Sequence, residues 1–346
     1  MLRVFRFAVL ITVTAFVTAS LLLAQSPSAR LRIIDLGALT PTGPCSSSQA
    51  TAINDRQQIV GLSYTSTCQC HPVLWKRGTM TDLGFLATSP WGEETSYALG
   101  INNHGQVVGW SKTSTGNYHA FLWENGTMTD LGSLGGWSMA TAINDRGQIV
   151  GYSDSSTGGT FAVLWEGGTI TVLETLGSAS QAYAINNLGQ IVGHSVTSTG
   201  EDHAVFWDNG TITDLGTLPG AIGESSARGI NDRGQIVGYS STSTGTSHAV
   251  LWQNGTITDL GTLVGSGGDS WAWGINAQGQ IVGQSQAAST LYGRAFLWER
   301  GSMTDLGALD DPGGYSYSSA WSINTQGQIV GYSSTGTHVH AVLWTR

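Results

Sequence analysis

Charge is what this chain has least of. Asp, Glu, Lys and Arg make up 11% of its 346 residues, and 23 acidic side chains against 14 basic ones leave a formal net charge of −9. A phosphate backbone needs a basic face, so nucleic acid is excluded as a partner. No Lys/Arg cluster is visible in the sequence beyond its N-terminus. Cysteine is scarce too, with only Cys45, Cys68 and Cys70. The patterns of common enzyme chemistries are missing: there is no G-x-S-x-G, no H-E-x-x-H, no Walker loop and no calcium loop. A long apolar run occurs once, from Phe7 to about Leu23, behind Arg3 and Arg6 and ahead of a stretch of small residues. This is the layout of an export signal cleaved near Ala24 or Ala29, though the run is also long enough to remain as an anchor. No Cys follows it, which argues against a lipid-anchored form. Residues 1–29 are therefore expected to be a signal segment and 30–346 a single secreted domain, extracellular or periplasmic. Membrane contact is expected only through the first segment.

What is abundant points to sheets. Gly reaches 48 residues and Trp 13, and 40% of the chain is hydrophobic. That is too apolar for disorder and suits short strands joined by tight turns. Self-comparison gives the main signal. Ile-Asn recurs at Ile53, Ile101, Ile143, Ile185, Ile230, Ile275 and Ile323, in steps of 48, 42, 42, 45, 45 and 48 residues. A Trp closes a short apolar run at Trp75, Trp123, Trp165, Trp207, Trp252, Trp298 and Trp344. Seven copies near 45 residues fall in the range of propeller blades with four strands each.

One unit shows the four strands as residues 140–145, 147–153, 161–165 and 168–173. N-D-R-G separates the first two, with Gly147 placed for a positive φ. Asn125-Gly126 and Asn254-Gly255 mark two-residue hairpins, because type I′ turns need positive φ at both positions. The runs I-V-G and V-L-W are apolar without alternation, as in sheets buried on both faces. A fourth-strand signature at residues 33–37 precedes the first unit, and the last unit stops at Trp344 without one. The N-terminal strand is thus expected to complete the seventh blade and remove an exposed edge. The fold class is an all-β, seven-bladed propeller.

Residues 119–123 (H-A-F-L-W), 101–111 (I-N-N-H-G-Q-V-V-G-W-S) and 129–136 (T-D-L-G-S-L-G-G) resemble the HAF-repeat family of bacterial extracellular proteins. The similarity runs from about Arg32 to Trp344. It implies a secreted, propeller-like protein and brings no catalytic residues. Copies depart from the pattern at Phe161 and Arg294, where the others carry His, and at Gln57, where the others carry Gly.

Residues present in every blade are read as scaffold. The seven Trp are expected to fill the spaces between blades. His71, His119, His203, His248 and His340 occupy one equivalent position each in different blades, so they cannot converge on one ion. Each is expected to bond a polar group in its own blade. Asp35, Asp82, Asp130, Asp214, Asp259 and Asp305 are expected to hold backbone groups at strand ends. His104, His194 and His338 read as polar surface residues. No metal site, cofactor or catalytic residue is expected.

A site on a repeat fold arises where copies differ. The connection into each first strand varies most, from 11 residues (Gly132 to Ile143) to 17 (Gly84 to Ile101), and it shares an edge with the T-S-T-G loops. That loop-rich face is the expected binding face. Just before each Ile-Asn the pattern is Ala, variable, small. The variable position reads Thr51, Leu99, Thr141, Tyr183, Arg228, Trp273 and Trp321. Tyr183, Arg228, Trp273 and Trp321, joined by Trp91 and Trp137 from nearby loops, are the candidate ligand residues. Trp271, Tyr315, Tyr317, Glu93, Glu94, Asp269, Asp310 and Asp311 lie in the same connections. Flat aromatics beside carboxylates suit a sugar, and they equally suit plugging a channel. The expected function is non-catalytic binding of an extracellular glycan or protein by a monomer. A polysaccharide lyase or glycosidase on the same scaffold is one alternative, and a structural or adhesive envelope protein is another. Cys45 lies in the loop entering blade one, and Cys68 and Cys70 lie in that blade's T-S-T-C-Q-C loop on the same edge. A bridge from Cys45 to Cys68 or Cys70 is expected.

Overall fold

The computed structural model describes residues 31–87, 95–221, 223–265, 267–287, 290–309 and 316–346. The segment 1–29, expected to be an export signal, lies outside them, as do Trp91, Glu93, Glu94, Asp310, Asp311 and Tyr315. The described chain is all-β, with 28 strands in seven antiparallel sheets of four. Blade four is typical. Its innermost strand is Ser180–Ile185, followed outward by Ile191–Val196, Asp202–Asp208 and Thr211–Asp214. The inner strands of successive blades contact one another in order and the last touches the first, so the ring is a closed β-propeller.

Closure uses the N-terminal strand. Arg32–Asp35 pairs with Val339–Thr345 as the outer strand of blade seven, in the register Arg32 opposite Thr345 and Asp35 opposite Val342. The hairpin chemistry behaves as written in the sequence: Asn125 and Gly126 have φ of 52° and 84°, and Gly147 has φ of 78°. The strand boundaries of blade three differ from the sequence reading: the second strand runs Ile149–Ser155, the third Thr160–Glu166 and the fourth Thr169–Val172, and the first is shifted most. The Asn144-Asp145 pair leaves the strand, which runs Gly135–Ile143, because Asn144 closes the following turn.

The core is divided rather than central. Seven apolar clusters lie between neighbouring blades, each mixing residues of two. Between blades three and four, Val150 and Ala162 meet Ala182, Ile191, Val205 and Trp207. The repeated Trp occupies this seam in every blade, and the Trp207 indole donates to the Glu174 carbonyl of the preceding blade at 2.8 Å.

Two sets of buried polar groups tie the blades together. Ser225, at the start of its inner strand, donates to the Gly216 carbonyl (2.8 Å) and accepts the Ala204 N–H (2.9 Å) of the blade before it. Ser240 accepts the Leu218 N–H at 2.9 Å and pins the connecting loop. The same pattern recurs at Ser138 and Ser153. At the opposite mouth of the channel, the Asn of each Ile-Asn donates Nδ2 to the carbonyl of the next one. The bonds run from Asn54 through Asn102, Asn144, Asn186, Asn231 and Asn276 to Asn324 and back to Asn54, at 2.9 to 3.2 Å. The repeat marker of the sequence is thus a closed ring of side chains. Inward of the seams, these Asn residues line a cavity of about 290 Å³.

Candidate functional site

The site begins with an irregularity shared by all blades. In blade four, Ala182 faces Gly193 and Ala184 faces Val192, so Tyr183 has no partner and forms a β-bulge. The same register shift falls at Thr51, Leu99, Thr141, Arg228, Trp273 and Trp321. A bulge re-aims a side chain, and here all seven line a channel cavity of about 250 Å³. Where the residue is Thr it serves the scaffold: Thr51 Oγ1 reaches the Val60 carbonyl of its own blade (3.0 Å) and the Ala98 carbonyl of the next (2.9 Å).

The larger residues do something else. The Arg228 guanidinium carbon lies 3.9 Å from the Tyr183 ring centre and 5.6 Å from that of Trp273. Tyr183 donates to Gln181 Oε1 at 2.7 Å. Trp321 lines the same channel but packs edge-on to Tyr332 at 5.4 Å and donates to Ser319 Oγ at 3.0 Å. The structure therefore joins Tyr183, Arg228 and Trp273, and gives Trp321 separate partners.

The variable bulge lies midway along the inner strand. The loop-side mouth is formed one step further out, by the residue two positions earlier and its second-strand partner. Those pairs include Tyr97 with Trp110, Met139 with Tyr152, Gln181 with His194 and Ser226 with Tyr239. Sequence reasoning missed this layer. Its signal was present, since the residue after each I-V-G or V-V-G reads Leu62, Trp110, Tyr152, His194, Tyr239, Gln284 and Tyr332. His194 is a half-buried member of this layer rather than a surface residue. Burial lowers its pKa and Arg228 adds to that, while Asp202 opposes it.

On blades two and three the layer opens into a groove of about 350 Å³ lined by Trp110, Tyr118, Trp137, Met139, Tyr152, Asp154, Thr160 and Gln181. Its wall is a run of rings. Tyr97 stacks on Trp110 at 4.4 Å, Trp110 meets Tyr118 edge-on at 4.9 Å, and Tyr118 meets Trp137 edge-on at 5.0 Å. Such contacts fix ring angles beyond what burial alone does. Trp137 is 55% exposed, so its ring is held but not covered. It sits on the inner strand of blade three and Trp271 on that of blade six, rather than in loops as the sequence suggested.

The repeated His residues have local partners. His119, His203, His248 and His340 lie 2.7 to 2.9 Å from Asp130, Asp214, Asp259 and Asp35 of their own blades. Each Asp also accepts the N–H of the Gly two residues on. In blade three both partners are replaced together, by Phe161 and Val172. In blade one, burial works against the charged Asp82, but bonds from His71 and the Gly84 N–H outweigh it and hold the carboxyl below its ordinary range. A depressed carboxyl contributes stability above the unfolded value of 3.8 and loses it as pH falls through the lower folded value. Asp82→Asn is expected to flatten this acid limb, checked by thermal melts between about pH 5 and pH 2. An unchanged limb would show that the His71 pair contributes nothing there.

Cys45 is joined to Cys68, with Cα atoms 5.3 Å apart. Cys70 keeps a buried thiol, which burial pushes up to about 12 against a small opposing effect of its bond with Tyr97. The fold also assembles a basic cluster that the sequence conceals. Arg56, Lys76, Arg77 and His104 line a cavity of about 540 Å³ beside the N-D-R-G-type turns.

Fold and site together define a seven-bladed β-propeller whose loop-side mouth carries an aromatic groove. No family model and no curated protein matches this chain. Solved structures do. Puromycin hydrolase is 13% identical with a TM-score of 0.53, over 86% of this chain and 51% of that one. An acylaminoacyl peptidase from Pyrococcus horikoshii is 10% identical with a TM-score of 0.53, over 87% and 51%. A Mycobacterium tuberculosis puromycin-hydrolyzing peptidase is 11% identical with a TM-score of 0.51, over 88% and 49%. The chain spans about half the length of these structures, and at this identity the likeness is one of fold. Among the described residues no helix is long and apolar enough to cross a membrane.

Proposed function

We propose that this protein is an exported, non-catalytic carbohydrate-binding propeller, with the glycan lying in the groove of blades two and three. The observation that carries this reading is Trp137, a half-exposed indole braced by Tyr118 and Trp110 on the wall of a groove that also presents Asp154, Thr160 and Gln181. The C–H face of a pyranose stacks on such a ring, and its hydroxyls bond the carboxylate and amide nearby. Export is supported by the N-terminal apolar segment, the HAF-repeat resemblance and the Cys45–Cys68 bridge, since disulfides persist in oxidising compartments.

The test is a polysaccharide array with residues 30–346 beside Trp137→Ala. Trp137 lies outside the seven cores, so the variant is expected to melt with the parent and to bind its glycan on the order of tenfold more weakly or worse. Undiminished binding would remove the groove from the reading. Release of sugar products, lost on one polar substitution in the groove, would replace it with an enzymatic one.

A further inference from the structure

The groove meets the channel at Gln181, which lines the first and bonds Tyr183 of the second. Just inside that junction is a cation without a carboxylate partner among the described residues. Arg228 rests on the Tyr183 ring at 3.9 Å, with Tyr239 at 5.5 Å and Trp273 at 5.6 Å. Its hydrogen bond is a long one, 3.4 Å from Nη2 to the Tyr239 hydroxyl. Arg228 Nε is buried and bonds nothing among the described residues, and the same is true of Trp273 Nε1 and of Ser226 Oγ, two residues before Arg228. Of the carboxylates nearby, Asp202 Oδ1 lies 3.7 Å from His194 Nε2 and makes no hydrogen bond among the described residues, and Asp154 accepts a bond from Thr160 at 2.7 Å.

Burying an unpaired charge is unfavourable, and ring faces offset only part of that cost. A guanidinium stacked flat on a ring keeps its N–H groups in plane, directed away from the stack. The scaffold does not require this charge, because equivalent bulges carry Thr, Leu or Trp in the same ring. Burial lowers the pKa of His194, with Asp202 opposing the shift and Arg228 adding to it, and the permanent positive charge of the cluster is that of Arg228. One cation, an indole N–H and a hydroxyl, all within a ring of aromatics, complement an anionic group on a sugar.

We infer that this junction is a subsite for the acidic group of a glycan, with Arg228 binding its carboxylate or sulfate and Trp273 Nε1–H donating to the same group. The inference rests on the carbohydrate reading and narrows it to acidic sugars. A neutral sugar placed there would leave the buried Arg228 Nε–H unpaired, and sites of that kind discriminate strongly.

The experiment reads the Trp273 indole N–H by NMR in the mature protein, with the resonance assigned through Trp273→Phe. The probes are glucuronate, glucose 6-sulfate and glucose. Glucuronate or the sulfate is expected to shift the resonance saturably while glucose does not, and the stronger of the two acids identifies the anion. Arg228→Gln is expected to weaken the effective acid at least tenfold without lowering Tm, because it removes a half-buried charge that has no carboxylate partner among the described residues. Arg228→Lys, which keeps the charge and loses the fork, is expected to fall between, and it carries the test if the Gln variant fails to fold. No shift with either acid overturns the inference, and so does an equal shift with glucose. Trp137-dependent polysaccharide binding without acid preference would leave the groove standing and overturn the subsite. An acid-specific shift without any polysaccharide binding would do the reverse.

Discussion

Gly61→Ala is expected to yield no stably folded protein. Gly61 is the Gly of I-V-G in blade one, directly opposite the bulge. A Cβ there would overlap the Gln49 carbonyl oxygen and lie 2.9 Å from both the Gln49 carbonyl carbon and Ala50 Cα. Those are backbone atoms of the innermost strand, which is paired on one side and pressed against neighbouring blades on the others, so it cannot withdraw. Overpacking against side chains costs about 1–3 kcal/mol, and a clash with fixed backbone lies above that range. A cost beyond about 4 kcal/mol is a large part of a domain's stability. Gly331→Ala in blade seven should behave alike, because its Cβ would meet the Ser319 carbonyl in the same way. The measurements are soluble yield and urea unfolding. A Gly61→Ala protein that melts with the parent would mean that the inner strands do not bulge as described, and the channel positions would lose their common aim.

Asn144→Ala is expected to destabilise the ring by about 3 kcal/mol. The side chain accepts the N–H groups of Arg146 and Gln148 at 3.0 Å, and donates to Gln148 Oε1 at 2.8 Å and to the Asn186 carbonyl of the next blade at 3.1 Å. It is 4% exposed, so the groups left behind find little water. Asn103→Ala is the comparison. Asn103 accepts the Asp55 N–H at 2.9 Å and donates to Asp145 Oδ2 at 3.0 Å, in a second, outer chain of bonds. That chain already has an interruption at Ala277, whose side chain cannot accept, so a further gap is expected to cost under about 1 kcal/mol. Equal losses in urea melts would show that the closed inner ring has no special weight.

The two substitutions bear on how the sequence is read. Ile-Asn and Ala-variable-small are visible as recurring patterns, and they suffice to count blades. Their reasons are tertiary. Asn54 needs the Asn102 carbonyl 48 residues away, and the small residue after each bulge stands against the next inner strand, as Gly229 does against the Trp273 carbonyl. The groove was half legible. Trp137 stood out as a departure from the repeat, whereas Trp110, Tyr118 and Tyr152 were hidden inside strands that otherwise match their counterparts. They became site residues only because each faces the loop-side mouth.

By itself the sequence determined the number of blades, their four strands, the hairpin turns and the closure by Arg32–Asp35. These depend on short-range chemistry: positive φ at Asn-Gly, runs buried on both faces, and a strand missing at one end and present at the other. What the tertiary structure decided is which copies meet. Equivalent residues on the outer strands stay a blade apart, so His71 and His119 pair locally and never converge. Equivalent residues at the axis do converge, and Arg228 lies over the ring of Tyr183, 45 positions earlier, without a carboxylate partner among the described residues. Distance from the axis sets that difference, and a one-dimensional pattern does not contain it.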